Sequence, residues 1–201
     1  MILSRKIMLL PTPEQIILLR KSVGTARWSY NYMLSRNNEN PDTFINERTI
    51  RKEITKLKRM PEYSWLKEVS ANIPKQACKD CQLAYKRMFD DQAGKPNFKK
   101  RGFKDSFYVN YESFHKTQNG CYIEKIGNIK TVEQIPMLDK YLNPRVVFDN
   151  KYWYITFSYE IKPNAEHNKN GRVIGIDLGI KTFVTTSDNK RFDNINKTRY
   201  C

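Results

Sequence analysis

The sequence predicts an α+β fold, because helix-like and strand-like segments occupy different parts of the chain. A helix start follows a first short strand, and no convincing strand alternation is found from there to about residue 93. From residue 106 onward, alternating apolar and polar residues and the turn pair Asn119-Gly120 are typical of antiparallel strands. Helices grouped apart from strands are typical of α+β domains.

Residues 2–10, ILSRKIMLL, form the first predicted strand. Thr12, Pro13 and Gln15 then supply the N-cap, the first helical residue and the second half of a capping box. Apolar residues recur three and four positions apart along the helix that follows, so we expect one buried face. These residues are Ile16, Leu19, Val23, Ala26 and Tyr30. A helix-turn-helix is also compatible with this pattern, but no clean turn and recognition helix can be placed.

Further helical segments extend to about residue 93 and are broken near Asn40-Pro41-Asp42 and at Met60-Pro61. The run at 47–60, ERTIRKEITKLKRM, predicts a helix with a basic face toward solvent. Trp28, Tyr30 and Tyr32 offer rings that are able to stack on bases, but rings near helical spacing are more often part of a core. We therefore predict that they pack inside the protein.

The chain has four cysteines, and two of them, Cys78 and Cys81, form a C-x-x-C pair inside a predicted helix. A structural zinc site needs a second pair of thiolates or histidines at matching spacing, and the sequence has none. A redox pair is expected in a thioredoxin-like βαβ setting, which is also missing. We predict structural or incidental cysteines and no zinc.

The strand-rich region ends in a run, residues 152–161, in which large apolar residues alternate with more polar ones. Trp153, Ile155 and Phe157 lie on the apolar face, as expected for a strand that closes a small barrel. Residues 162–171, KPNAEHNKNG, are polar and contain Pro and Gly, so we place a linker there.

The charge balance predicts a polyanionic partner. The sequence has 36 Lys and Arg against 21 Asp and Glu, a net charge of +15. Such an excess binds phosphates with release of counterions, so nucleic acid is the leading partner. We predict no membrane association, because no apolar run approaches the roughly 20 residues of a span and no basic amphipathic helix stands out. The start of the chain lacks a signal-peptide pattern, so we expect a cytoplasmic protein.

Residues 95–104, KPNFKKRGFK, are the segment most directly suited to nucleic acid. They contain five basic residues, no acid and two phenylalanines. Cations neutralise phosphates and rings stack on bases, a combination used in RNA and single-strand grooves. The candidate ligands are Lys95, Lys99, Lys100, Arg101 and Lys104, with Phe98 and Phe103. A solvated charge run with two core phenylalanines is the alternative.

Residues 171–192 place a carboxylate at the end of a predicted strand. The apolar run Val173–Ile176 leads to Asp177, and Gly179 follows. A carboxylate fixed in this way is able to hold Mg²⁺ for phosphodiester cleavage. Similar strings open the phosphate-binding hairpin of actin-like ATPases, in which small hydroxyl residues usually follow, whereas Ile180 and Lys181 follow here. An ordinary hairpin with a capping Asp is the third interpretation.

Taken together, the sequence resembles the TnpB (OrfB) family of transposon-encoded RNA-guided nucleases, relatives of the type V CRISPR effectors. The resemblance rests on segments that occur in the family's order. They are IMLLPTPEQIILLRK, GTARWSYNYML, GKPNFKKRGFKDSF and GIDLGIKTFVTTSD, the last of which is similar to the first motif of the RuvC nuclease domain.

The resemblance implies an oligonucleotide-binding-like β-barrel of the WED type that carries an inserted helical lobe. The implied bounds are 1–12 for the first barrel strand, 13–93 for the helical recognition lobe, 94–165 for the barrel, 166–171 for the linker and 172–201 for the start of a RuvC, ribonuclease H-like domain. Guide RNA and target DNA are the implied partners. Asp177 matches the first catalytic aspartate and would ligate Mg²⁺.

A complete RuvC site needs further carboxylates, and the sequence after Asp177 offers only Asp188 and Asp193, which match neither later family motif. The paired C-x-x-C zinc segment of the family is also missing. We therefore expect a C-terminally truncated copy that binds nucleic acid and does not cleave by itself. A non-catalytic RNA-guided repressor is one alternative, and the N-terminal half of a split nuclease, completed by a second chain, is another.

Overall fold

The structure is a computed structural model. It describes residues 1–40, 42–102, 104–161, 174–179 and 182–193. The chain separates into two compact units, Met1–Ile161 and Lys162–Cys201.

The described residues of the first unit form three α-helices and seven strands, which confirms the predicted α+β class. The helices are α1 (Pro13–Asn38), α2 (Glu47–Leu57) and α3 (Asn72–Phe89), and short 3₁₀ helices cover Pro61–Lys67 and Tyr111–Ser113. The strands are β1 (Ile2–Leu10), β2 (Ser106–Tyr108), β3 (His115–Thr117), β4 (Gly120–Ile123), β5 (Gly127–Thr131), β6 (Leu142–Asp149) and β7 (Tyr152–Glu160).

The predicted capping box is present at the start of α1. The backbone N–H of Thr12 donates to Oε1 of Gln15 at 3.0 Å, and the backbone N–H of Gln15 donates to Oγ1 of Thr12 at 3.4 Å. The Gln15 amide also donates to the carbonyl oxygen of Asn128 at 2.7 Å. The cap therefore begins the helix and fastens it to β5.

All strands of the first unit form one antiparallel sheet in the order β2-β6-β7-β1-β5-β4-β3. Strand β1 lies in the centre, where it pairs with β7 from Ile2↔Glu160 to Leu9↔Trp153 and with β5 at Leu9↔Thr131. The outer strands β2 and β3 do not pair with each other, so among the described residues the sheet is open and the predicted barrel is not closed. Both outer strands are three residues long and offer few ladder hydrogen bonds, and α1 and α3 contact β2.

A continuous core joins the helices to the sheet. The predicted alternation of β7 is confirmed, since Trp153, Ile155 and Phe157 are buried. They share one cluster with residues of the helices and of β1, including Leu19, Met33, Leu34, Ile50, Ile73, Ile7 and Leu9. Each fully buried aliphatic side chain of this kind contributes about 1.5–3 kcal/mol to folding.

Aromatic rings pack α1 against the 3₁₀ helix at Pro61–Lys67. The ring of Trp28 stacks on Tyr32 with a centroid distance of 5.1 Å and meets the edge of Trp65 at 5.2 Å. Tyr30 is buried as well. These rings serve packing, as predicted. Among the described residues, no helix is long and apolar enough to cross a membrane.

The second unit is described only in part and contains a three-stranded antiparallel sheet. Its strands are β8 (Ile176–Leu178), β9 (Thr182–Thr186) and β10 (Arg191–Asp193), in the order β10-β9-β8. Strand β9 pairs antiparallel with β8, from Ile176↔Thr186 to Leu178↔Val184. The apolar residues Ile176, Leu178, Phe183 and Phe192 are all more than half exposed. The predicted linker at 162–171 and residue Val173 lie outside the described residues.

Candidate nucleic-acid interface

The basic segment at 95–104, the basic strap, lies between the end of α3 and the start of β2, and its described residues form neither helix nor strand. Gly102 has a φ of +78°, a conformation that glycine adopts without steric cost. Because the strap makes no ladder of its own, side chains from neighbouring elements have to hold it in place.

Asn31, on α1, holds the middle of the basic strap through its side-chain amide. Its Nδ2 donates to the carbonyl oxygen of Lys99 at 3.0 Å, and its Oδ1 accepts from the backbone N–H of Lys99 at 2.8 Å. One side chain therefore satisfies both backbone groups of a strap residue, as a neighbouring strand would do.

The side chain of Lys99 anchors the strap as well. Although much of this residue faces solvent, its Nζ lies 4.1 Å from the centre of the Tyr30 ring, a cation–π contact. Desolvation of the ammonium lowers the pKa of Lys99, an effect that Asp80 opposes and Arg145 reinforces. Asp80 itself accepts from Arg145 of β6 at 2.9 Å. Lys99 thus differs from the other predicted cations, because its charge is held against the helices.

Asp105 fastens the end of the strap to two elements. Its Oδ1 accepts from Nη1 of Arg27 on α1 at 3.1 Å, and its Oδ2 accepts from the backbone N–H of Gly102 at 3.1 Å. Its carbonyl oxygen accepts from the backbone N–H of Phe148 at 2.8 Å. The side chains of Arg27 and Asp105 are only 24% and 16% exposed, so water screens this ion pair weakly.

The remaining predicted cations of the strap face solvent. Lys95, Lys100, Arg101 and Lys104 are exposed, and Phe98 is 51% exposed. Phe103 lies outside the described residues. Asn31, the side chain of Lys99 and Asp105 therefore hold the basic strap against α1 and β6. Its other described cations and Phe98 face solvent.

A second basic surface lies on α2 and was predicted only as a solvent face. An open groove is lined by Arg48, Arg51, Lys52, Thr55, Lys56 and Arg59. Arg51 makes an ion pair with Glu47 at 3.2 Å. Basic residues in ERTIRKEITKLKR recur three and four positions apart, and this spacing places them on one side of the helix.

The three cysteines that the structure describes pack inside the protein. Cys78 and Cys81 on α3 and Cys121 on β4 are buried free thiols. Burial raises the pKa of each of the three thiols to about 12, so they are protonated near neutral pH. A protonated, buried thiol is a poor metal ligand and a poor redox nucleophile.

Asp177 lies in β8, opposite Thr185 of β9, and is exposed. Asp188 occupies the turn after β9, where it accepts from the hydroxyl of Thr186 and pairs with Lys190 at 3.3 Å. These contacts, that with Thr186 first, lower the pKa of the Asp188 carboxyl. The described residues contain no group of three or more His, Cys, Asp or Glu side chains that would hold a metal ion. They do not supply the donor set of a two-metal site, and no catalytic step follows from them.

Comparison with known sequences supports the resemblance. The sequence model of the OrfB helix-turn-helix domain of IS605-type elements matches residues 1–41. In the structure, the described part of this segment is strand β1 followed by the uninterrupted 26-residue helix α1. The match therefore identifies related sequences, whereas a turn between two helices is not found within α1.

Two known proteins align with most of the chain. The putative RNA-guided DNA endonuclease InsQ of Escherichia coli strain K12 is 27% identical over 195 residues, which cover 95% of this chain and 48% of InsQ. The chain thus spans about half the length of that relative. A solved Cas12f1–sgRNA–target DNA complex aligns with 96% of this chain and 56% of the Cas12f1 chain, at 12% identity and a TM-score of 0.38.

Proposed function

This chain belongs to the TnpB (OrfB) family, and on that premise we propose that it binds guide RNA and target DNA as part of an RNA-guided, transposon-associated system in the cytoplasm. InsQ, to which it is similar, carries the name of a putative RNA-guided DNA endonuclease. The activity of such a protein needs both a surface that binds nucleic acid and a nuclease site that cuts it.

The observation that carries the binding proposal is the construction of the basic strap. Hydrogen bonds to neighbouring elements hold its backbone, while Lys95, Lys100, Arg101 and Lys104 remain exposed. A fixed row of cations loses little conformational freedom when phosphates bind, so more of the electrostatic attraction is retained as affinity. The net charge of +15 and the basic groove of α2 favour the same class of partner.

In this proposal the seven-stranded sheet serves as a WED-type, oligonucleotide-binding-like platform, and α1–α3 serve as the recognition lobe. The strap joins the two, because Asn31 and Arg27 bind it from α1 while Asp105 binds it to β6. A nucleic acid that lies across the strap would therefore contact the helices and the sheet at once.

The strands β8–β10 are proposed to be the opening strands of a RuvC domain, with Asp177 as its first metal-binding carboxylate. Asp177 would be one of the carboxylates that hold Mg²⁺ there, and the described residues do not supply the others. Residues 1–201 alone are expected to bind without cutting. The exposed Ile176, Leu178, Phe183 and Phe192 favour packing against further elements of that domain, on the same polypeptide or on a second chain.

The test is binding of a fluorescent structured RNA, measured by anisotropy over a series of salt concentrations. The proposal predicts affinity that falls steeply and linearly in log–log form as salt increases. The same samples with Mg²⁺ and a labelled DNA target are expected to show no cleavage. Failure to bind RNA at low salt would contradict the binding proposal. Robust Mg²⁺-dependent cleavage that Asp177→Ala abolishes would contradict the proposal that the nuclease site is incomplete.

A further inference from the structure

A cavity of about 300 Å³ opens beside the basic strap, within the first unit. Its walls come from three elements that are far apart in the sequence. Arg20 and Arg27 contribute from one face of α1, Arg101 and Asp105 from the strap region, and Phe148 and Trp153 from the β6–β7 hairpin. This volume lies at the lower end of the roughly 300–1,000 Å³ typical of small-ligand sites.

Three guanidinium groups line the cavity, and one of them is paired with a carboxylate while the other two face solvent. Arg27 is neutralised by Asp105, with Nη1 and Oδ1 3.1 Å apart. Arg20 and Arg101 are exposed residues with no polar partner among the described residues. Three arginines against one aspartate give the site a net positive charge. A guanidinium binds phosphate through two parallel hydrogen bonds, so phosphate is the group that this rim is built to bind.

The aromatic wall adds a second kind of recognition. The rings of Phe148 and Trp153 lie against each other with a centroid distance of 4.8 Å and an angle of 49°. Trp153 is 6% exposed and belongs to the core, which fixes the position of the partly exposed Phe148. A rigid ring beside a cationic rim is the combination that holds an unstacked base and its phosphate.

From these features we infer that the cavity binds a single unpaired nucleotide of the bound nucleic acid, with its base against Phe148 and its phosphate at Arg20 and Arg101. This inference rests on the proposed nucleic-acid binding and adds a specific contact to it. A purely electrostatic surface binds any phosphate backbone, whereas this site distinguishes a strand with an extruded base from one without it.

The ribonucleotide probes are hairpins of identical sequence that differ at one position, which carries a bulged adenosine, a bulged abasic residue or no bulge. Anisotropy measures their affinities for the full chain and for the variants Phe148→Leu and Arg101→Gln. Phe148→Leu keeps an apolar side chain but removes the ring. Arg87→Gln, at an exposed arginine in the last turn of α3 that lines neither the cavity nor the groove of α2, is the matched control for the loss of one charge. Deoxyribonucleotide hairpins repeat the series and identify which strand chemistry the site prefers.

The wild-type chain and Arg87→Gln should bind the bulged adenosine about tenfold more tightly than the abasic bulge, the size expected for one stacked base. Phe148→Leu should reduce this preference to less than threefold, and circular dichroism and thermal unfolding verify that it is folded. Equal affinity of the wild-type chain for all hairpins would overturn the inference while leaving the proposed function intact. Arg101→Gln should weaken binding of both bulged hairpins more than Arg87→Gln does, because both hairpins carry the phosphate. A preference that Phe148→Leu retains, or equal losses in Arg101→Gln and Arg87→Gln, would also overturn the inference. Absence of binding to every probe would overturn the proposed function and the nucleotide site together.

Discussion

Asn31 and Lys99 are 68 positions apart in the sequence, and the side-chain amide of Asn31 binds both backbone groups of Lys99, at 3.0 and 2.8 Å. This contact joins two of the segments that carry the family resemblance, GTARWSYNYML and GKPNFKKRGFKDSF. It gives a physical reason for their occurrence together, since the helix supplies the clamp that the basic strap needs.

Asn31→Ala removes both hydrogen bonds and should loosen the strap. We expect a loss of about 1 kcal/mol in the free energy of unfolding, because the exposed strap backbone regains bonds to water. Trypsin should cleave within residues 95–104 faster than in the wild-type chain. Urea unfolding and timed proteolysis measure the two effects. Asn38→Ala, at the exposed last residue of α1, is the control and should change neither. Equal cleavage rates in the two variants would contradict the clamp.

The Arg27–Asp105 ion pair should contribute more to stability than the Lys6–Asp149 pair. Its side chains are 24% and 16% exposed, against 47% and 48% for the second pair. Asp105→Ala also leaves the N–H of Gly102 without its acceptor, so we expect a loss of about 1–3 kcal/mol. Asp149→Ala should cost less, since water and salt screen an exposed pair. Denaturant unfolding measures both, and a larger loss in Asp149→Ala would refute the ranking.

Gly120→Ala should disrupt the pairing of β4 with β5. A Cβ at Gly120 would lie 1.9 Å from the carbonyl oxygen of Ile129, a backbone atom in the neighbouring strand. The strands have to separate locally, at a cost of about 1–3 kcal/mol or more. Gly94→Ala places its Cβ in open space and is the matched control. Thermal unfolding that gives the same midpoint for the two variants would show that this strand register is wrong.

The buried thiols should be almost unreactive in the native chain. A pKa of about 12 instead of 9.0 leaves about a thousandfold less thiolate at pH 8, and burial also blocks the reagent. In a Cys201→Ser background the three thiols that the structure describes are the only ones left. Alkylation followed by mass spectrometry should be slow without urea and fast in urea. Rapid native labelling, or stoichiometric zinc binding by this variant, would contradict the packing role of Cys78 and Cys81.

Helix capping and the alternation of apolar residues predicted those helices and strands whose formation depends on residues close together in the sequence. Thr12 and Gln15 identified the start of α1, and the alternation around Ile155 identified β7 and its buried face. The central place of β1 was not predictable in the same way, because pairing with β7 and β5 depends on partners more than a hundred residues away. Closure of the sheet likewise depends on the outer strands, which are too short to be defined by sequence pattern.

The sequence predicted which residues carry the positive charge of the candidate interface, but it did not predict their contacts. The sequence identified the cations of 95–104 as one group, but it did not separate Lys99, whose ammonium lies against Tyr30, from the exposed Lys100 and Arg101. The sequence also did not predict that Arg20 and Phe148 line the same cavity, because only the fold brings these two residues together. The spacing of Arg20 and Arg27, two helical turns apart on one face, was the available signal.

If the basic strap binds nucleic-acid phosphates, the salt dependence of RNA affinity has to change when the strap cations are removed. The triple variant Lys95→Gln, Lys100→Gln and Arg101→Gln is compared with Lys79→Gln, Lys130→Gln and Lys151→Gln, which removes the same charge from exposed positions outside the strap. The strap variant should reduce the log–log salt slope by about two to three, roughly one for each phosphate that it no longer neutralises, whereas the control should keep the wild-type slope. Equal slopes in the two variants would contradict phosphate binding by the strap.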